Sequence, residues 1–237
     1  MKCSAERLIE ALIGVELAQE RKAAEEKAVQ ARRASYMVTI SRGYGALGKE
    51  VAEALAEHLG VCCCDRSLLE EVAMRADVDV ELVKKLDENV RHLRIEPWKA
   101  FFKGKTFSRE RYLHHLVKVV LNISKTGGVI LGRGAHLILG PGKAFRVRII
   151  GSLEPCAVRI AGREQLDLEA ARKRVQTVNH ERAEYLQQLY GVAIDDCSDY
   201  DLVINSDRFD VQQIVGLILN GMQQAGYDIP DKLLQAV

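Results

Sequence analysis

"TISRGYGALGKEVAEALAEHLG", Thr39 to Gly60, is the stretch on which the fold turns. Gly43, Gly48 and Lys49 match the spacing of the phosphate-binding pattern G-x-x-x-x-G-K-[ST]. The run before it, "YMVTIS" from Tyr36, is short, apolar and of β type. After it, Val51, Ala52, Leu55, Ala56 and Leu59 recur at helical spacing. They predict a helix from Lys49 to Leu59 that Gly60 ends. A strand, a glycine-rich turn and a helix N-terminus make an anion site for a physical reason. The loop amides point inward, and the helix's free N–H groups and dipole add positive potential. Glycine allows the backbone angles and the close approach that this needs. Gly43, Tyr44, Gly45, Ala46, Leu47, Gly48, Lys49 and Glu50 are therefore the expected phosphate cradle, with Lys49 reaching the terminal phosphates. Glu50 departs from the pattern, a carboxylate where a magnesium-binding hydroxyl belongs. It suits the helix dipole and is the candidate Mg2+ ligand, directly or through water. Ser41 is the nearest other hydroxyl. The competing reading is a plain glycine-rich turn carrying a surface lysine.

Outward from the loop, short apolar runs alternate with helical patterns. "VCCC" from Val61, "GGVILG" from Gly127, "FRVRIIG" from Phe145 and "DLVINS" from Asp201 are the further strand candidates. Helices are expected at 67–76, 79–86, 108–125 and 210–225, and over most of 153–190. Residues 87–107, with Pro97, Trp98, Phe101 and Phe102, give no clear pattern. Strands that are apolar without alternation describe a parallel sheet covered on both faces, hence an α/β fold. The glycine-rich turn after the first strand is where a doubly wound sheet binds phosphates. The domain spans 36–237, preceded by a helical extension over 1–35. In that extension Ser4 can cap a helix to about residue 33, and Leu8, Ile9, Leu12 and Ile13 form an apolar stripe. The stripe packs on the domain or on a second copy of the chain, as a homodimer.

The composition excludes several classes of function. Of 237 residues, 48% are hydrophobic and 28% charged, with a net charge of +1, which is ordinary globular balance. Neither a nucleic acid polymer nor a membrane surface is an expected partner. No run approaches a membrane span, and the N-terminal apolar stretch is broken by Glu10 and Glu16, unlike a secretory signal. A cytoplasmic protein is expected. Cys62, Cys63 and Cys64 are adjacent, which suits neither a disulfide framework nor zinc spacing. They read as reduced thiols filling apolar space at a strand end. His58, His114, His115 and His136 show no ligand pattern and read as surface or core residues.

Three later segments sharpen the reading. They are "GGVILGRGAHLIL" (127–139), "RVRIIGSLEPCAVRIAGRE" (146–164), and "TVNHERAEYLQQLYGV" (177–192) followed by "SDYDLVINSDRFDVQQIVGLIL". Together with "ISRGYGALGKEVAEALAEHLG" and "CCCDRSLLEEVA", they resemble the cytidylate-kinase-like family of P-loop nucleoside monophosphate kinases over about Met37 to Leu219. The resemblance implies a three-layer P-loop kinase fold with a five-stranded parallel sheet, helices on both faces and a lid at about 153–190. The implied reaction moves the γ-phosphoryl of ATP onto CMP or dCMP with Mg2+. It implies that Arg133 grips the acceptor's monophosphate and that Asp65 and Arg66 stand on the acceptor side. Arg159, Arg163 and Arg182 take the place of the lid arginines and, with Lys49, are the implied catalytic set. Asn179 stands where the family often has Asp, and Val51 where well-characterised nucleoside monophosphate kinases have Thr.

These residue types suit the chemistry on their own terms. Phosphoryl transfer needs alignment and positive charge more than covalent help. Arginine's planar fork takes phosphate oxygens in pairs and stays charged. Arg159 and Arg163, four apart, share one helix face, although a solvated face with surface cations has the same spacing. Two further readings stay open: a nucleotide-binding regulatory protein without catalysis, and a P-loop kinase of another small acceptor.

Overall fold

The computed structural model describes residues 36–65 and 109–235. The N-terminal extension, the helices expected at 67–76 and 79–86, the unassigned stretch after them and Arg66 lie outside the described residues, as does any dimer contact through the extension.

The elements are β1 (Met37–Arg42), α1 (Gly48–Leu59), β2 (Cys63–Cys64), α2 (Arg109–Thr126), β3 (Gly128–Leu131), α3 (Ala135–Leu139), β4 (Phe145–Ile150), α4 (Leu153–Glu164), α5 (Leu168–Tyr190), β5 (Leu202–Asn205), α6 (Val211–Gln224) and α7 (Asp231–Gln235). The five strands form one sheet in the order β2-β3-β1-β4-β5, and every pairing is parallel. β1 lies at the centre, so the loop leaving it opens at the middle of the sheet's C-terminal edge.

The burial pattern explains why the strands looked uniformly apolar. Val38, Ile40, Val147, Ile149 and Ile204 cluster with Val51 and Leu55 of α1 and with Ile214, Ile218 and Leu219 of α6. Met37 and Ile130 cluster instead with Leu116, Val119 and Val120 of α2 and Ala135 and Leu139 of α3. Side chains alternate between the two faces, and both faces are covered near the centre. Fully buried anchors such as Leu55, Ile149 and Ile218 each contribute about 1.5–3 kcal/mol relative to exposure. The second face turns polar toward β4: in register, Thr39 lies beside Arg146 and Ser41 beside Arg148.

The helix ends follow local chemistry. Gly60, at φ 64°, closes α1. The helical stretch after β4 is two helices, because Gln165 turns left-handed at φ 54° and Asp167 then caps α5 through the N–H of Ala170. Asp210 and Gln213 form a reciprocal capping box on α6. The short α3 and α7 have too few residues to show a helical period, and the sequence pattern gave no sign of them. α5 runs 23 residues. Its far end packs Leu186, Leu189 and Tyr190 on Leu113 and Val117 of α2, which carries α5 across the C-terminal edge of the sheet.

Candidate active site

The loop is drawn tightly onto the sheet. The Gly43 N–H donates to the Ile149 carbonyl at 2.8 Å. Gly45 has φ +81°, and a Cβ there would lie 2.6 Å from the Cys156 carbonyl oxygen. A Cβ on Gly48 would lie 2.5 Å from Cβ of Arg42. Both glycines are therefore required by close approach. Lys49 is exposed in the first turn of α1, with Nζ 3.7 Å from Glu53 Oε1. Glu50 Oε1 lies 3.6 Å from Nη1 of Arg163.

α4 and α5 close over this loop. Arg159 donates to the Gly45 carbonyl (3.1 Å) and to the Ser206 carbonyl (2.8 Å), bracing the loop against the end of β5. Arg163 stands above the loop, with its guanidinium carbon 5.2 Å from the centre of the Tyr44 ring. Arg182 of α5 lies 5.3 Å from the same ring and donates to the Arg42 carbonyl at 3.0 Å. Asn179 Oδ1 accepts from the Tyr44 N–H at 2.8 Å. Burial, together with Arg148, Arg163 and Arg133 nearby, pushes Arg182 down to about 10 against the opposing pull of Tyr44. It remains charged at neutral pH, in a position where cations crowd one another.

Beside the loop a cavity of about 310 Å³ opens over the ends of β1 and β3, within the range of small-molecule pockets. Arg42, Arg133 and Arg182 line it, along with Glu181, Ser41 and His136. Arg133 is held in the left-handed region at φ 56° between Gly132 and Gly134. Backbone strain in a non-glycine residue is a mark of functional positions. Its carbonyl accepts from the Tyr190 hydroxyl at 2.9 Å, and its guanidinium lies 4.8 Å from the centre of the Tyr185 ring. A Cβ on Gly134 would strike the Tyr190 ring at 2.4 Å.

The cavity floor rests on a buried cation. Arg148 is 7% exposed; it donates to Ser41 Oγ and to Asp195, each at 3.0 Å. Ser41, the nearest hydroxyl to the loop in the sequence, is thus committed to the floor of this cavity. His136, 4% exposed, stacks on Tyr200 with ring centres 4.8 Å apart. Burial, then Arg146 and Arg148, hold it down at about 4, so it is neutral at physiological pH.

Among the described residues no group of three or more His, Cys, Asp or Glu side chains could hold a metal ion. Mg2+ usually keeps several waters and binds through one or two carboxylates plus substrate phosphates. Glu50, a half-exposed hard oxygen donor loosely paired at 3.6 Å, fits an ion of that kind carried on a triphosphate. Burial pushes Cys63 and Cys64 up to about 11, keeping them as neutral thiols in β2. No helix of the described residues is long and apolar enough to cross a membrane.

The structure brings Tyr44, Glu50, Arg163 and Arg182 together above the loop, and Arg133 and Arg182 together in the cavity. Arg159 is instead committed to the Gly45 and Ser206 carbonyls. Asp65 follows β2 on the far side of β3. Sequence reasoning missed Arg42, Arg148, Glu181 and Tyr185, and it grouped His136 with surface and core residues. One signal was available: "FRVRII" places two arginines, two apart, in a strand otherwise fit for burial. Arg146 pairs bidentately with Asp201 at the edge, and Arg148 supports the site.

Comparison with known proteins bears on the family and the fold. A cytidylate kinase of Methanopyrus kandleri is 27% identical over 186 residues, covering 78% of this chain and 91% of that protein. A cytidylate kinase of Thermoplasma acidophilum is 32% identical over 81 residues, covering 34% of this chain and 43% of that protein. This second match spans less than half the length of the curated relative. An uncharacterized protein from Eubacterium ventriosum superposes with a TM-score of 0.61 at 21% identity, over 79% of this chain and 98% of that one, which speaks for the fold alone. The model of the cytidylate kinase-like family matches residues 37–208. The chain belongs to the cytidylate kinase-like family.

Proposed function

We propose that the protein transfers the γ-phosphoryl of ATP to a nucleoside monophosphate, with CMP or dCMP as the acceptor. Family membership supports a nucleotide kinase, and the relatives in other organisms are named cytidylate kinases. The observation that carries the reading is two anion sites in one cleft. A glycine-rich loop at a helix N-terminus adjoins a cavity with three arginines on its wall, and Arg182 touches both.

The donor's phosphates lie along Gly43–Lys49, held by loop amides and Lys49. The acceptor's phosphate takes Arg133 and Arg42. An oxygen of that phosphate attacks the γ-phosphorus in line, the bond to the β–γ bridging oxygen breaks, and ADP leaves. Charge on the transferring group is met by Arg163 and Arg182, so the chain's work is positioning and electrostatics. Mg2+, held through Glu50, would neutralise charge shared between the β- and γ-phosphates.

The test is ADP release from ATP and Mg2+ with a panel of nucleoside monophosphates. Turnover with CMP or dCMP that is lost in Lys49→Ala is expected. ATP binding without turnover on any acceptor would overturn the proposal.

A further inference from the structure

Tyr44 is the first variable residue of the phosphate loop, where the turn itself asks for no aromatic ring. Four contacts from the lid converge on it. Its N–H donates to Asn179, its hydroxyl donates to Glu164, and its ring lies 5.2 Å from the Arg163 guanidinium and 5.3 Å from that of Arg182. Glu164 and Arg163 come from α4, Asn179 and Arg182 from α5. One loop residue therefore ties both arms of the lid.

The electrostatics say what the ring is for. Arg163 and Arg182 are like charges, and Arg148 and Arg133 also bear on Arg182. Coulomb repulsion drives such groups apart unless something negative lies between them. The face of an aromatic ring does this for cations within about 6 Å of its centre. Other anchors act on one arginine each: the Arg42 carbonyl on Arg182, and Glu50 and Glu164 on Arg163. The Tyr44 ring takes both. Asn179 and Glu164 grip the residue at its two ends and so fix its orientation.

We propose that Tyr44 is a positioning residue whose ring anchors both Arg163 and Arg182 at the phosphate loop before the donor triphosphate arrives. The proposal rests on the loop being a nucleotide site. Two cations are gathered beforehand, and their ordering does not have to accompany the reaction. On binding, each guanidinium exchanges a ring face for phosphate oxygens.

The test uses the full chain and has two readouts, the affinity for Mg-ATP by calorimetry and the steady-state kinetics. Tyr44→Phe keeps the ring and is expected to stay within about threefold of the unaltered protein in both, whereas Tyr44→Leu should lose about tenfold in ATP affinity and in kcat, with the acceptor KM little changed. Thermal melting checks that each variant is folded. Should Tyr44→Leu not fold, phenylalanines with one, two and three ring fluorines at position 44 weaken the negative face while keeping the shape. ATP affinity should then fall stepwise. Tyr44→Leu equal to the unaltered protein, Phe as damaged as Leu, or a flat fluorine series would each overturn the role. If the ATP affinities follow the expected order but no acceptor is phosphorylated, the transfer reading fails and the positioning role stands.

Discussion

The two halves of the cleft are built differently. Around the cavity, polar groups are buried and fixed: Arg148 on Ser41, with the exposed Asp195 at its outer side, Tyr190 on the Arg133 carbonyl, His136 stacked on Tyr200. Around the loop, the charged side chains are half exposed and loosely paired, with Lys49–Glu53 at 3.7 Å and Glu50–Arg163 at 3.6 Å. Exposed pairs of that kind are worth about 0–1 kcal/mol and can be exchanged for a ligand at little cost. Buried, hydrogen-bonded groups are costly to disturb. The cavity, the proposed acceptor side, is thus prebuilt, and the loop, the proposed donor side, is an assembly of replaceable contacts. Arg182 belongs to both, half-buried and holding the Arg42 carbonyl and the Tyr44 ring.

The largest effect should come from breaking the prebuilt side at its cation. Arg133→Ala is expected to raise the acceptor KM about 100-fold while the ATP KM stays within about threefold, since removing a half-buried arginine proposed to pair with the acceptor's phosphate costs about 2–5 kcal/mol. Steady-state kinetics with each substrate varied in turn measures both. Equal effects on the two constants would erase the distinction between the halves.

The contrast also explains what the sequence made legible. The loop could be read because glycine spacing is dictated by backbone geometry, and Gly45 and Gly48 do meet atoms closer than 3 Å. Arg133 was singled out through the family resemblance of its Gly-Arg-Gly segment, and the structure adds that its backbone is left-handed at φ 56°. The sheet could be read because β1, β3 and β4 are buried on both faces. The floor of the cavity was hidden, since Arg148 and Tyr200 lie 107 and 159 residues from Ser41 in the chain, and nothing local announces that register brings Ser41 beside Arg148. His136 was hidden for the same reason, its stacking partner lying in the segment before β5. Arg159 and Arg163 share one helix, but their spacing could not tell that Arg163 lies against the Tyr44 ring while Arg159 binds the Gly45 and Ser206 carbonyls.

A smaller effect should sharpen the prebuilt side through pH. His136 faces Arg146 and Arg148 from β4 and the ring of Tyr200, and is held at about 4, against about 6.5 in an unfolded chain. Between those values the unfolded state binds the extra proton, so this contribution to stability is complete above pH 6.5 and is lost as the pH falls toward 4. The loss reaches about 3 kcal/mol at most. His136→Phe keeps the stacked ring and removes the proton. Denaturant unfolding from pH 7 to 4 should show a shallower decline for the variant. Parallel declines would mean that His136 is solvated like an ordinary surface histidine, and that the floor is not prebuilt there.

The smallest structural effect belongs to the loop. Glu50→Gln removes one member of an exposed pair at 3.6 Å, worth less than about 1 kcal/mol, so the melting temperature should move by no more than a few degrees. Its chemical effect is separable from this. If Glu50 holds Mg2+ on the donor's phosphates, the free Mg2+ needed for half-maximal rate rises in Glu50→Gln, and Glu50→Thr, which restores the hydroxyl of the phosphate-loop pattern, brings it back down. An unchanged Mg2+ requirement in both variants would leave Glu50 as a partner of Arg163 alone. The loop would then have no metal ligand of its own, and charge on the donor's phosphates would fall to Lys49, Arg163 and Arg182.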